Sequence, residues 1–239
     1  MRVEIWSDIN CPWCYIGKAR FEQALAAFPH RDEVEVVHRS FELDPNAPRT
    51  ARPVIPLLAT KYGMSLEQAE AAEARIAENA RGEGLPYLDD GRDAANSFDM
   101  HRLLHFAKEQ GRQAELLDAL YRANFAEERS AFDTGRLAEL AVEAGLDAAG
   151  SAAVLADPEA YAAAVREDEE TAAAMGATGV PFFVLDRRLR VSGAQPAETF
   201  TRALEQAWGS RVPAPLIPLA EGGGDAEACG PDGCELPQR

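Results

Sequence analysis

The chain has 239 residues, enough for one large domain or a small domain with a second one inserted into it. Hydrophobic residues make up 46%, an ordinary share for a soluble globular protein, and 40 acidic against 24 basic residues give a formal net charge of −16. That balance, with no Lys/Arg cluster to reverse it locally, argues against nucleic acid and anionic membranes as partners.

The opening "MRVEIWSDIN" carries Glu4 and Asp8 and lacks the apolar run of a signal peptide. No stretch approaches the roughly 20 apolar residues of a membrane span, so the expected location is the cytoplasm. Arg2 to Ile9 alternates apolar and polar residues and predicts a strand. "YIGKARFEQALAAF" then places Ile16, Phe21, Leu25 and Phe28 near helical spacing, and the Val-rich Glu33 to Leu43 predicts a second strand. A right-handed crossover makes these two strands parallel.

Pro45, Pro48, Pro53 and Pro56 mark a boundary. Beyond them "SLEQAEAAEARIAENA" opens with Ser65 and Gln68 at capping-box spacing. "SFDMHRLLHFAKEQG" is an amphipathic helix closed by Gly111, and three further Ala/Leu/Glu-rich segments follow. No strand is expected between Pro45 and Gly176. "TGVPFFVLDRRLRVSGAQ" then predicts a hairpin turning at Asp186 to Arg188, and "PAETFTRALEQAW" a last helix. From Ser210 the chain is rich in Pro and Gly and reads as an irregular tail. The expected division is an α/β domain of residues 1–44 and 176–209, a helical insertion of 45–175, and a tail of 210–239.

Four cysteines are too few for a secreted disulfide framework, and paired cysteines in a reducing compartment point to redox or metal chemistry. Cys11-Pro12-Trp13-Cys14 follows a strand and opens a helix. Unsatisfied N–H groups and the positive end of the dipole favour a thiolate there. The reading makes Cys11 the exposed nucleophile and Cys14 the sheltered resolving thiol. Half of a zinc site and inert packing are the alternatives.

The ordered set of C-P-W-C, "FELDP", "NSFDMHRLLHFAKEQG", "TGVPFF" and "VSGAQP" resembles the DsbA-like thioredoxin superfamily, and within it the FrnE-type cytosolic oxidoreductases. The resemblance covers about residues 1 to 212 and implies a thioredoxin fold, an α/β architecture with an all-α insertion. It implies a cis Val180-Pro181 bond beside the disulfide and a substrate peptide held by the backbone of Thr178, Gly179 and Val180 next to Pro181. Protein disulfides are then the substrates, and glutathione or a thioredoxin system the thiol reductant. No cofactor or metal is called for, and the reading leaves room for a homodimer. A glutathione-dependent transferase or isomerase of small molecules, and a zinc-binding module, are the alternative functions.

Trp13 is expected to be exposed and to contact substrate, while Trp6 suits a peptide platform or the core equally well. His101 is placed near the thiols on a helix over the redox site; with His105 and Glu109 it also has metal-like helical spacing, though without the HExxH arrangement. Asp8 and Glu42 are candidates for proton transfer to Cys14, or solvated surface acids. Cys229 and Cys234 flank a Gly-Pro-Asp-Gly turn that can bring two sulfurs together. They read as a second redox pair exchanging with Cys11 and Cys14, as half of a joint zinc site, or as an inert tail.

Overall fold

A computed structural model describes residues 1–88 and 90–211. Strand β1 (Arg2–Ser7) leads into helix α1 (Pro12–Ala27), and the chain returns through strand β2 (Glu35–Ser40). The two strands are parallel, in register from Arg2 opposite Glu35 to Ser7 opposite Ser40. At the other end of the chain β5 (Phe182–Leu185) pairs antiparallel with β1, and β6 (Leu189–Ser192) with β5. The sheet order is β2-β1-β5-β6. Asp186 and Arg187 both take positive φ at the hairpin turn, the geometry that matches the strand twist. This is a thioredoxin-type α/β sheet carrying a long helical segment between β2 and β5.

That segment runs through β3 (Arg52–Pro53), α2 (Val54–Tyr62), α3 (Leu66–Gly82) and β4 (Asp93–Ala94) to α4 (Phe98–Glu109) and α5 (Gln113–Ala126). Helices α6 (Thr134–Glu143), α7 (Ala148–Ala156) and α8 (Ala162–Ala174) complete it. Ser65 and Gln68 form the capping box that their spacing predicts, with reciprocal bonds of 3.1 and 2.9 Å. The expectation of no strand in this region needs correction. β3 and β4 pair antiparallel over two residues each, too short for any alternation to show in the sequence.

Two apolar layers cover the sheet. Phe21 and Phe28 of α1, Phe183 of β5, and Phe200 and Leu204 of α9 (Ala197–Gly209) fill one face. Trp6, Phe182 and Val184 meet Ala172 of α8 on the other, so Trp6 is core and not a peptide platform. Its indole donates to the Asp168 carbonyl at 2.8 Å, the partner that a buried Trp N–H requires. A third core lies under the N-terminus of α1, where Cys11, Cys14 and Ile16 pack against Leu103, Leu116, Leu120, Tyr121 and Phe125 of α4 and α5. The residues Met1–Gly209 form one compact unit.

Candidate active site

Cys11 is the N-cap residue of α1, in an extended conformation, and Pro12 occupies the first turn, where its missing N–H costs nothing. The Cys11 carbonyl accepts from the amides of Cys14 at 3.0 Å and Tyr15 at 3.4 Å, closing the turn that carries both sulfurs. Cys11 and Cys14 are not joined by a disulfide in this structure. Burial, and then the adjoining Cys11 side chain, push the Cys14 thiol well above its ordinary range.

The expectation that Cys11 is exposed is corrected: it is 4% accessible, and Cys14 1%. Val180 is the reason on one side, its carbonyl accepting from the Cys11 thiol at 3.6 Å while its side chain packs on the same core. The apolar core under α1 closes the other side. Trp13, between the cysteines, is exposed as expected.

The Val180-Pro181 bond is cis, as the resemblance implies. Thr178 is exposed, Gly179 and Val180 are half-buried, and Pro181 is buried. The Pro181 carbonyl accepts from the Gly193 amide at 2.8 Å, which ties this loop to the end of β6. One residue that sequence reasoning missed makes the approach possible. A Cβ on Gly17 would lie 2.9 Å from the Pro181 ring and 3.3 Å from the Ala194 backbone, so α1 touches the loop only because Gly17 has no side chain. A glycine inside a helical pattern was the available signal.

His101 also needs correction. At 1% accessibility it cannot form part of a substrate surface. It lies behind the redox turn, with Nε2 3.5 Å from Asp8 Oδ1. Asp8 is itself buried and not a solvated surface acid. Its carboxylate accepts from the amides of Leu43 at 2.8 Å and Asn10 at 3.1 Å. Burial works against the charge, but His101, the Leu43 amide and Ser97 hold the carboxyl below its ordinary value. Asn124 and Asn10 fix the surrounding backbone through the carbonyls of Ile9 and Ala95, each at 2.8 Å.

The metal-like trio separates: His101 faces Asp8, His105 faces Asp168 at 3.1 Å, and Glu109 accepts from the Tyr161 hydroxyl at 2.6 Å. Glu42, the second acid considered for proton transfer, is engaged by Arg166 and Asn96. Cys229 and Cys234 lie outside the described residues. Among the described residues no helix is long and apolar enough to cross a membrane.

The arrangement can hold a thiolate at a helix N-terminus, pass it a disulfide, and resolve the product from the adjacent thiol. The model of the DsbA-like thioredoxin domain matches residues 2–205. The crystal structure of a probable DsbA oxidoreductase from Streptomyces coelicolor is 64% identical over the whole of both chains, with a TM-score of 0.88. The uncharacterized protein YwbO of Bacillus subtilis is 26% identical, over 85% of this chain and 96% of its own. The cytosolic disulfide reductase DsbM of Pseudomonas aeruginosa, solved with GSH, shares the fold at a TM-score of 0.61 and 20% identity, over 87% of this chain and all of its own. The chain belongs to the DsbA-like thioredoxin domain family.

Proposed function

We propose that the protein is a thiol–disulfide oxidoreductase and disulfide isomerase of the FrnE type, acting on protein disulfides in the cytoplasm. The observation that carries this reading is the pair Cys11 and Cys14 at the start of α1, side chain against side chain, beneath the Val180-Pro181 loop. The Cys11 thiolate attacks a substrate disulfide, forming a Cys11–substrate bond and expelling one substrate thiolate. Cys14 then attacks the Cys11 sulfur, closing the Cys11–Cys14 disulfide and releasing the second substrate thiolate. Two electrons have passed to the substrate, and a thiol reductant such as glutathione or a thioredoxin system must return them. Release of the mixed disulfide before Cys14 attacks gives isomerisation in place of reduction.

The exposed indole of Trp13 and the backbone of Thr178 to Val180 beside Pro181 supply the substrate surface in this reading. The tail pair Cys229 and Cys234 serves as an internal exchange partner for the first pair. Insulin reduction and refolding of a protein with scrambled disulfides test both parts. Cys11→Ser abolishes both activities, and Cys229→Ser lowers at least one. Wild-type rates in Cys11→Ser contradict the function, and wild-type rates in Cys229→Ser contradict the role of the tail.

A further inference from the structure

We propose that Arg20 is a positioning residue for polypeptide substrates. From the middle of α1 it fixes the loop that follows β6, and through it the Val180-Pro181 loop along which an extended chain carrying the disulfide would lie. The proposal rests on the thiol–disulfide reading above and deepens it, since it concerns how one class of substrate is held.

The Val180-Pro181 loop is placed from outside itself. Among the described residues, the amides of Thr178, Gly179 and Val180 make no backbone hydrogen bond. That leaves them open to a substrate backbone, and it also leaves the loop with few bonds of its own. Its fixed point is Pro181, whose carbonyl accepts from the Gly193 amide at 2.8 Å. Whatever holds residues 193 and 194 therefore sets where the substrate-binding backbone stands.

Arg20 holds them. Its Nη1 donates to the Ala194 carbonyl at 2.7 Å, one residue beyond Gly193. Its Nε donates to Glu83 Oε1 at 2.7 Å, and Gln23 Nε2 donates to Glu83 Oε2 at 3.2 Å. Glu83 is the C-cap residue of α3. A guanidinium presents its N–H groups in fixed directions, so anchoring Nε on Glu83 aims Nη1 at the Ala194 carbonyl. Gly17 and Arg20 are three residues apart and share one face of α1. The glycine lets the Pro181 ring and Ala194 reach the helix, and the arginine grips Ala194 one turn further on.

This contact differs from the ion pairs of the surface. The side chains of Arg20 and Glu83 are 16% and 20% exposed, against 53% and 45% for Arg122 and Glu143. Exposed pairs are screened by solvent and position little. The sheltered one joins α1, the end of α3 and the loop after β6, three elements far apart in the sequence. A small disulfide has no backbone to lay along Thr178 to Val180 and needs only access to the Cys11 sulfur. Loss of Arg20 should therefore show with a peptide and not with a small molecule.

The test uses the full chain, reduced, with Cys229→Ser and Cys234→Ser. Its two probes share one leaving group: N-acetylcysteine amide, and a short unstructured peptide with a single cysteine, each as its mixed disulfide with thionitrobenzoate. Attack by Cys11 forms a bond to the probe's cysteine sulfur and expels thionitrobenzoate. Cys14 then closes the Cys11–Cys14 disulfide and frees the cysteine thiol, so two electrons pass to each probe molecule. The peptide is expected to react faster than the small probe. Arg20→Ala should slow the second-order release from the peptide at least about tenfold and leave the small probe within about twofold. The loss should come as a higher half-saturating peptide concentration with the limiting rate kept. Glu83→Ala, which frees the guanidinium without touching Ala194, should slow the peptide alone by about threefold or more, and Glu83→Gln, which keeps an acceptor for Nε, should restore it to within about twofold.

Equal slowing with both probes, an unchanged half-saturating concentration, or a peptide no faster than the small probe overturns the proposal. If Arg20→Ala does not fold, Glu83→Ala and Glu83→Gln decide the matter with the same two probes. Release that persists in Cys11→Ser overturns the underlying reading instead. Release that depends on Cys11 but is indifferent to Arg20 with both probes overturns this proposal only.

Discussion

The two ends of α1 are packed by opposite rules. Its C-terminal half lies on an apolar layer of Phe21, Phe28, Phe183, Phe200 and Leu204, with aromatic rings 4.6 to 5.7 Å apart between Phe21, Phe183 and Phe200. Its N-terminal end covers a core that admits Asp8, His101, Asn124 and Tyr121 alongside leucines. His101 Nδ1, Tyr121 Oη and the side-chain oxygens of Asn10 and Asn124 are buried there without a hydrogen bond of ordinary geometry, and His101 Nε2 meets only Asp8, at 3.5 Å. A buried polar group left without a partner costs about 1–3 kcal/mol, whereas the apolar layer at the other end carries no such cost through its rings. One end holds the sheet together, and the other carries the two thiols among buried polar side chains.

The sharpest way to break this comparison is at the apolar end. Phe21→Ala removes a buried ring and is expected to lower unfolding free energy by about 3–5 kcal/mol. The rate of disulfide exchange per folded molecule should stay unchanged, as denaturant melts paired with insulin reduction will show. A large loss of chemistry without a loss of stability would mean that the two ends are not separate.

A titratable group in the sheet half gives the next effect. Burial first, and then Lys18, push the His38 ring down to about 4, against 6.5 for the free side chain. The unfolded chain therefore binds a proton between these values that the folded chain refuses. Stability is full above about pH 6.5 and falls as pH drops toward 4, by up to roughly 3 kcal/mol. His38→Leu should flatten that part of the profile in melts taken across this range. Asp8 runs the other way in sign and window. Its carboxyl is held low, so its contribution is present above its ordinary 3.8 and fades only as pH falls through the lower folded value.

Gly17→Ala strikes the contact between α1 and the Val180-Pro181 loop. The added methyl meets Pro181 and the Ala194 backbone, and a stability loss of about 1–3 kcal/mol is expected. Exchange activity should fall with it, because the loop that covers Cys11 must shift. The smallest effect belongs to Tyr121→Phe. Deleting a buried hydroxyl without a partner should change stability by less than about 1 kcal/mol, in either direction. A loss above about 2 kcal/mol would show that the hydroxyl is satisfied and that the redox end is not under-bonded.

The difference between the ends also explains what the sequence discloses. The β-α-β opening, the hairpin at Asp186 to Arg188, the capping box and the helix that starts at C-P-W-C are all local patterns, and each was readable from a short window. The Phe21 and Phe28 positions followed from helical spacing alone. The redox end was legible in its two thiols and its proline, but not in its surroundings. Asp8 meets His101, Asn124 meets Ile9, and Val180 seals Cys11, each across a long stretch of chain that carries no periodic signal. His101 and His105, one turn apart, are drawn to different partners because two different elements face that side of α4. Burial of Cys11 could not be read from its place at a helix start, since the exposure of an N-terminus depends on what folds over it.

The central claim is that Cys11 is the thiol that attacks and Cys14 the one that resolves. Chain carrying Cys14→Ser, Cys229→Ser and Cys234→Ser, mixed with insulin and analysed by mass spectrometry without reductant, tests it most directly. The account predicts that a mixed disulfide between Cys11 and an insulin chain accumulates, and that adding Cys11→Ser abolishes it. Absence of the adduct, or an adduct that forms in the variant lacking Cys11, would contradict it.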